Sequence, residues 1–257
     1  MGLLSREGIQ IRVSRIGESR ENTYGTLMTI VQYDSYDKIV VEFQDDHYVR
    51  VNTTYSNFKS GQIKNPYDRT VFGVGYLGEG IYMAKKNKKS TPEYLMWMSM
   101  LQRCYSEKWK DKFPAYYGIC TVCDEWHNFQ TFAKWYFEHY YDTTGRLHLD
   151  KDILIPNNKV YSPDRCLLVP QRINMLFMSK PNKYRLPSGV KPTSNGKFES
   201  RYNDTHLGVF DSVNEASIAH DTEKKKAIVQ VANEYKKRIT KEVYDALLNW
   251  RGEKYGY

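Results

Sequence analysis

Alternating apolar and polar residues dominate the first third of the chain, in the stretches YGTLMTIVQY, KIVVEF and YVRVNTTY. Successive side chains of a β-strand point to opposite faces, so this alternation predicts strands separated by the turn-forming runs DSYD and QDDH. We therefore predict a small antiparallel β domain over residues 1–84. Residues 73–80, GVGYLGEG, contain G-x-G-x-x-G, but the polar IYMAKKNKKS that follows lacks the helical stripe of a dinucleotide-binding turn. These glycines are predicted to form turns.

The spacing of apolar residues becomes helical after residue 90. Thr91 and Pro92 suit the cap and the first turn of a helix. The apolar stripe predicted for this helix consists of Leu95, Met98, Leu101 and Tyr105. A second helix with an aromatic face is predicted after Trp126, and its aromatic residues are interpreted as core.

The next part of the chain predicts a ββα unit. A strand, RLHLDKDIL, is followed by the polar loop IPNNKVYSPDRC, the short strand LLVP and the helical turn QRINMLF. Residues 90–180 are therefore predicted to form a central domain in which helices precede the ββα unit.

The last part of the chain predicts three strands and then helices. Turn signals in SNG and ND separate the strands, and Ser212 with Glu215 forms a capping box that starts a helix. A final helix is predicted near residues 240–250. Residues 187–257 thus form a third predicted domain, and the fold class of the whole chain is α+β.

The charge is unevenly distributed along the chain. The net charge is +8, and residues 81–186 alone contribute +7. A localised basic section indicates a phosphate-binding surface, with ordinary solubilising charge as the alternative.

No apolar run reaches the ~18–20 residues that span a bilayer, and no secretory signal is visible, so a cytoplasmic protein without membrane contact is expected. In that setting the four cysteines are expected to be thiols or metal ligands.

The middle section contains the motifs MWMSMLQRCYSEKW, YYGICTVCDEWHNFQTFAKWY, LHLDKDIL and NKVYSPDRCLLVPQRIN. In this order they resemble the motifs of phage-encoded HNH (His-Asn-His) endonuclease-like proteins. The C-terminal section is similar to the plant ethylene-response-factor (APETALA-type) DNA-binding domain, which also occurs attached to HNH homing endonucleases. Together the matches cover residues 92–235. The resemblance implies a phage or mobile-element protein that binds double-stranded DNA in the cytoplasm of an infected bacterial host.

The HNH resemblance also implies a catalytic site. Asp150 and Asn174 match residues that hold a divalent cation, Mg²⁺ or Mn²⁺, and Lys151 stands where the family has its general-base histidine. Lysine has a reference pKa of ~10.4, far above the ~7 that suits a base, and the flanking Asp150 and Asp152 favour its charged form. We therefore expect weak or absent cleavage, with Lys151 as a phosphate contact or an ion-pair partner. His148, on the same strand face as Asp150, is the remaining candidate base; the alternative is a structural histidine.

The cysteines allow a second metal hypothesis. Cys120 and Cys123 form a C-x-x-C pair that Cys104 and Cys166 could complete as a structural Zn²⁺ site. The alternative is four buried thiols that pack as small apolar groups. The isolated positions of two of the four cysteines favour this alternative.

The strand KFESRYN carries the predicted DNA contacts of the C-terminal domain. Alternation places Phe198, Ser200 and Tyr202 toward the helix, so the residues between them face outward. The positions that the ethylene-response resemblance implies for DNA contact are Lys191, Thr193, Lys197, Arg201 and Asn203. Family arginines and a tryptophan are replaced here by Lys, Thr and Asn, so phosphate contact is expected to dominate base recognition. The alternative is a merely solvated face.

A second function, of a different class, is compatible with the same features. A non-catalytic phage protein could reuse the HNH scaffold to bind and inhibit a host defence protein. Abundant tyrosines and a nearly neutral N-terminal section suit that hypothesis.

Overall fold

The computed structural model describes residues 15–143, 145–178 and 182–252. Its contacts group the chain into two compact units. Among the described residues, one unit contains residues 15–84 together with His127–Gln130, and the other contains Lys85–Trp126 and the residues that follow Gln130. Helices and strands are both present, and the larger sheets, one of four strands and one of three, are antiparallel, so the predicted α+β class is confirmed.

A four-stranded antiparallel sheet forms the N-terminal unit, as predicted. Its strands, in spatial as well as chain order, are β1 (Ser19–Glu21), β2 (Leu27–Ser35), β3 (Lys38–Phe43) and β4 (Arg50–Thr53). The short helix α1 (Tyr55–Ser60) follows, and neither it nor β1 was predicted. The inward side chains of β2 and β3 pack with Phe58 of α1 in one apolar core. After the glycines of residues 73–80, the next α-helix of the described chain begins only at Pro92, in agreement with their prediction as turns.

The chain beyond Ala84 contains more elements, most of them short. In order they are β5 (Lys85–Lys86), β6 (Lys89–Ser90), α2 (Pro92–Tyr105), β7 (Thr121–Val122), α3 (Phe129–His139), β8 (Leu147–Asp150), β9 (Val160–Tyr161), β10 (Leu167–Pro170), α4 (Gln171–Leu176), β11 (Val190–Pro192), β12 (Phe198–Tyr202), β13 (Thr205–Phe210), α5 (Val213–Tyr235) and α6 (Lys241–Asn249). Two 3-10 turns, Glu107–Trp109 and Asp124–His127, lie between them.

Helix α2 buries a different face from the predicted one. Its buried apolar residues are Met96, Trp97, Met100, Leu101 and Cys104, and of the predicted stripe only Leu101 is among them. The indole Nε1 of Trp97 donates a hydrogen bond to the carbonyl of Trp126 at 2.7 Å, which fixes the tryptophan side of the helix inward. Leu95 is consequently 37% exposed.

The predicted ββα order is present. Strand β8 pairs antiparallel with β10, and α4 begins at Gln171, directly after β10. The strand predicted over RLHLDKDIL ends early, at Asp150, because its side chain accepts hydrogen bonds from the following backbone N–H groups and forms a turn. The ββα segment shares one core with the C-terminal helices. The buried members of that core are Ile153, Leu167, Val169, Ile173, Ile228, Val231, Ala232, Val243, Leu247 and Trp250.

The C-terminal sheet has the order β11-β12-β13, all antiparallel, and α5 packs against it. The capping box of Ser212 and Glu215 is formed at the start of α5, as predicted. The predicted faces of β12 are also confirmed, because Ser200 is fully buried and the ring of Tyr202 lies 5.5 Å from that of His220 on α5.

Candidate functional site

The ββα segment brings most of the predicted catalytic residues to one cavity. Asp150, Lys151 and Asn174 all line a cavity of about 420 Å³. Asp150 is the last residue of β8 and faces Leu167 of β10, and Asn174 is on α4, the helix that follows β10. His148 does not belong to the lining. The cavity is lined by residues from α2, from segments 112–116 and 149–161, from the region around α4, and by Trp250.

Asp150 is a buried carboxylate at this cavity. Its Oδ1 accepts hydrogen bonds from the backbone N–H groups of Asp152, at 2.9 Å, and Ile153, at 2.8 Å. Burial, with a smaller effect of the nearby Asp152, raises its pKa to about 6, although the two N–H groups and Lys151 act in the opposite direction. No ion pair to Asp150 occurs within the described ranges. Such a carboxylate readily takes up a proton or a cation.

Lys151 is committed to an ion pair and a loop contact. It is only 6% exposed, and its Nζ lies 2.8 Å from both carboxylate oxygens of Asp152 and 2.6 Å from the carbonyl oxygen of Asn158. An ammonium group has three donors, so these three acceptors engage all of them. The side chain of Asn158 donates in return to the carbonyl of Lys151 at 3.0 Å. Lys151 and Asn158 therefore connect the two ends of the segment 151–158 through hydrogen bonds in both directions.

His148 occupies a half-buried position on β8, opposite Val169. Burial, and then the positive charges of Arg146 and Arg103, lower the pKa of its imidazole. The neutral ring is thus favoured at neutral pH and could accept a proton. Strand alternation places it on the same side of β8 as Asp150, although it does not contribute to the cavity lining.

Cations that were not predicted as site residues line the same cavity, namely Arg103, Lys112 and Lys159. The guanidinium of Arg103 lies 5.3 Å from the ring centroid of Tyr116 and 5.6 Å from that of Tyr161. Its Nε is buried without a hydrogen-bond partner, and no carboxylate of the described chain pairs with it. Of these three cations, Arg103 could have been found from the sequence, because it belongs to the motif MWMSMLQRCYSEKW on which the HNH resemblance rests.

The donors at the cavity suit a hydrated divalent cation. Mg²⁺ is bound through one or two carboxylates and keeps several of its waters. The carboxylate of Asp150 and the side-chain oxygen of Asn174 are the groups that would hold it, because Asp152 is engaged by Lys151. Such an ion would lower the cost of keeping Asp150 charged in its buried position.

The four cysteines are free thiols in the described structure. Burial raises the pKa of each, that of Cys104 to about 12, and zinc binds the deprotonated thiolate. Among the described residues no group of three or more His, Cys, Asp or Glu side chains is arranged to hold a metal ion. A zinc site formed by Cys104, Cys120, Cys123 and Cys166 stays a prediction that metal analysis would test.

The outward face of the C-terminal sheet is internally paired. Lys191 and Arg201 both contact the carboxylate of Glu199, at 3.1 and 2.6 Å, and Lys197 contacts Asp211 at 2.8 Å. The three cationic side chains are about half exposed, so DNA phosphates can compete for them.

The remaining two predicted contact residues of this sheet lie in turns. The hydroxyl of Thr193 bonds within the β11–β12 turn, to the side chain of Asn195 and the carbonyl of Lys197. Asn203 has a φ of 49° in the β12–β13 turn, a left-handed conformation that asparagine tolerates. Both residues therefore shape the hairpins that carry the cationic side chains.

Comparison of the chain with protein-family models, with curated proteins and with solved structures finds no match. The HNH and ethylene-response resemblances accordingly stay predictions from the motifs. Within residues 15–143, 145–178 and 182–252, no helix combines the length and the apolar character needed to cross a bilayer.

Proposed function

We propose that the chain is a DNA-binding protein related to HNH homing endonucleases in which phosphodiester cleavage is weak or lost. The observation that carries the proposal is the state of Lys151. This residue stands at the position implied for the general base, and its ammonium is buried and bound to Asp152 and Asn158.

The contacts of Lys151 oppose a role in proton transfer. A hydrolytic base must give up its own proton before it activates water. Deprotonation of Lys151 would break the ion pair with Asp152 and weaken the hydrogen bond that satisfies the Asn158 carbonyl. The same contacts leave no donor for a phosphate, so Lys151 is best explained as the ion-pair partner that was one of its predicted roles.

The charges around Lys151 support the binding of polyanions. Lys151 and Asp152 neutralise each other, which leaves three cations, Arg103, Lys112 and Lys159, against the single carboxylate of Asp150. Lys112 and Lys159 are exposed and reach solvent, where they can meet phosphates. The cations of the C-terminal sheet would add further phosphate contacts, and each contact releases counterions.

The test combines cleavage and binding in one experiment. Supercoiled plasmid is incubated with the full chain and with Mg²⁺, Mn²⁺ or Zn²⁺, and binding to a labelled duplex is measured in parallel at several salt concentrations. We expect binding that weakens steeply with salt, and little or no nicking. The variants are Lys112→Glu/Lys159→Glu and Lys197→Glu/Arg201→Glu, each of which should lose duplex affinity. Lys134→Glu is the control for charge reversal, since Lys134 is exposed on α3 and outside both surfaces.

Two results would overturn the proposal. Robust Mg²⁺- or Mn²⁺-dependent cleavage that disappears in His148→Ala would show an active nuclease with a displaced base. Failure to bind duplex, together with a stable nucleic-acid-free complex with a host defence protein, would instead favour the alternative function.

A further inference from the structure

The cavity at Asp150 has aromatic as well as cationic walls. Five aromatic residues line it, namely Phe113, Tyr116, Tyr161, Phe177 and Trp250. Its volume of about 420 Å³ lies within the range of ~300–1,000 Å³ that is common for small-molecule sites. Planar apolar surfaces beside positive charges fit a ligand that is flat at one end and anionic at the other.

Arg103 indicates where the anionic end would lie. A guanidinium that is half-buried without an acceptor is costly, and bidentate pairing with a phosphate is the interaction for which its geometry is best suited. Tyr116 and Tyr161 hold this side chain from two rings, so it is positioned before any ligand arrives. Lys159, exposed on the same wall, offers a second positive charge.

Phe113 and Tyr116 offer a surface for the flat end. Both are partly exposed and line the cavity, and their rings are arranged edge to face at 6.4 Å. Nucleobases stack on such rings with little regard to sequence. Asn174, with an amide that both donates and accepts, lines the same space and could bond a base edge.

We propose that this cavity binds a single nucleoside phosphate, with the phosphate on Arg103 and Lys159 and the base against Phe113 and Tyr116. The inference rests on the proposed function and deepens it, because it names the unit of nucleic acid that enters the site. The nucleotide has two sources, an unpaired residue of a nucleic-acid strand or a free nucleotide. In either case a base that remains paired and stacked in a duplex cannot occupy the cavity.

Binding to the full chain is measured by calorimetry with four kinds of probe. The probes are the four deoxynucleoside monophosphates, inorganic phosphate, a single-stranded oligonucleotide and a blunt duplex of the same sequence. Affinity for the monophosphates well above that for inorganic phosphate would support the proposal with a free nucleotide as ligand. Affinity for the single strand alone, sensitive to the cavity variants below, would support it with a strand as the source.

Variants assign the binding to the cavity. Arg103→Gln and Phe113→Ala should each weaken binding roughly tenfold or more. Lys159→Gln, at an exposed position, should weaken it several-fold, and the control Lys134→Gln should leave it unchanged. Equal affinity for nucleotides and inorganic phosphate would overturn the role of the rings. Equal affinity in Lys159→Gln and Phe113→Ala would overturn the location.

The two proposals fail in different ways. If the duplex binds and neither nucleotides nor the single strand bind in the cavity, the present inference is wrong and the proposed function stands. If nucleotides bind in the cavity and the duplex and plasmid do not, the DNA-binding proposal is wrong and the nucleotide site stands.

Discussion

Replacement of Asp150 by asparagine should stabilise the protein at neutral pH. Burial first, and the neighbouring Asp152 second, raise the pKa of Asp150 from an ordinary value of 3.8 to about 6. At pH values between 3.8 and about 6, Asp150 therefore keeps its proton in the folded chain and has lost it in the unfolded chain. The stabilisation that comes from this tighter proton binding is fully present below about pH 4 and is lost as the pH rises through about 6.

The interval between 3.8 and about 6 corresponds to about 3 kcal/mol at pH 7. Asparagine keeps a side-chain oxygen that can accept the N–H groups of Asp152 and Ile153, and it does not ionise. Its amide N–H₂ must instead find water or Asn174 in the cavity, which reduces the gain. We expect Asp150→Asn to be more stable than the wild type by about 1–3 kcal/mol at pH 7, and equal to it near pH 4.

Urea unfolding followed by tryptophan fluorescence measures this difference. All five tryptophans lie in the unit that contains Asp150, so the signal reports the unfolding of that unit. The exposed Asp111→Asn serves as a control and should behave like the wild type from pH 4 to pH 7. The reasoning is refuted if Asp150→Asn is the less stable protein at pH 7, or if the difference does not change with pH.

Three further predictions follow from other contacts. Lys151→Met leaves the Asn158 carbonyl without its donor and should lower the unfolding free energy by about 2–4 kcal/mol in the same urea assay. A change below about 0.5 kcal/mol would show that the hydrogen bond between Lys151 and Asn158 does not stabilise the fold. Gly189→Ala places a Cβ 2.2 Å from the Arg201 carbonyl oxygen at a φ of +73° and should cost at least about 2 kcal/mol, seen as a lower Tm. Burial raises the pKa of Cys104 to about 12, so iodoacetamide at pH 8 should label it in urea and spare it in the native protein, by peptide mass spectrometry. Equal labelling in both states would show that the thiol is accessible.

Elements with strong local signals were predictable from the sequence. The capping box of Ser212 and Glu215 specifies the start of α5 through contacts within one turn, and the structure forms both of its hydrogen bonds. The alternation in KFESRYN likewise specifies which face of β12 is buried. The ββα order followed from two short apolar runs around a polar loop.

Contacts that depend on distant parts of the chain were not predictable. The buried face of α2 is set by the bond from Trp97 to Trp126, and the stripe at helical spacing gave no information on that partner. Lys224 belongs to the charge run KKK at residues 224–226, a pattern typical of a solvated helix face, but it is buried, 5.6 Å from the ring centroid of Phe177 and 5.2 Å from that of Trp250. A charge run shows the composition of a surface, and the tertiary fold decides which of its members faces inward.

Trp250 belongs both to the core that the ββα segment shares with the C-terminal helices and to the lining of the cavity. A premature stop immediately after Asn249 would remove Trp250, and with it a part of the core and a part of the cavity wall. We expect such a product to be degraded instead of persisting as a partly active fragment.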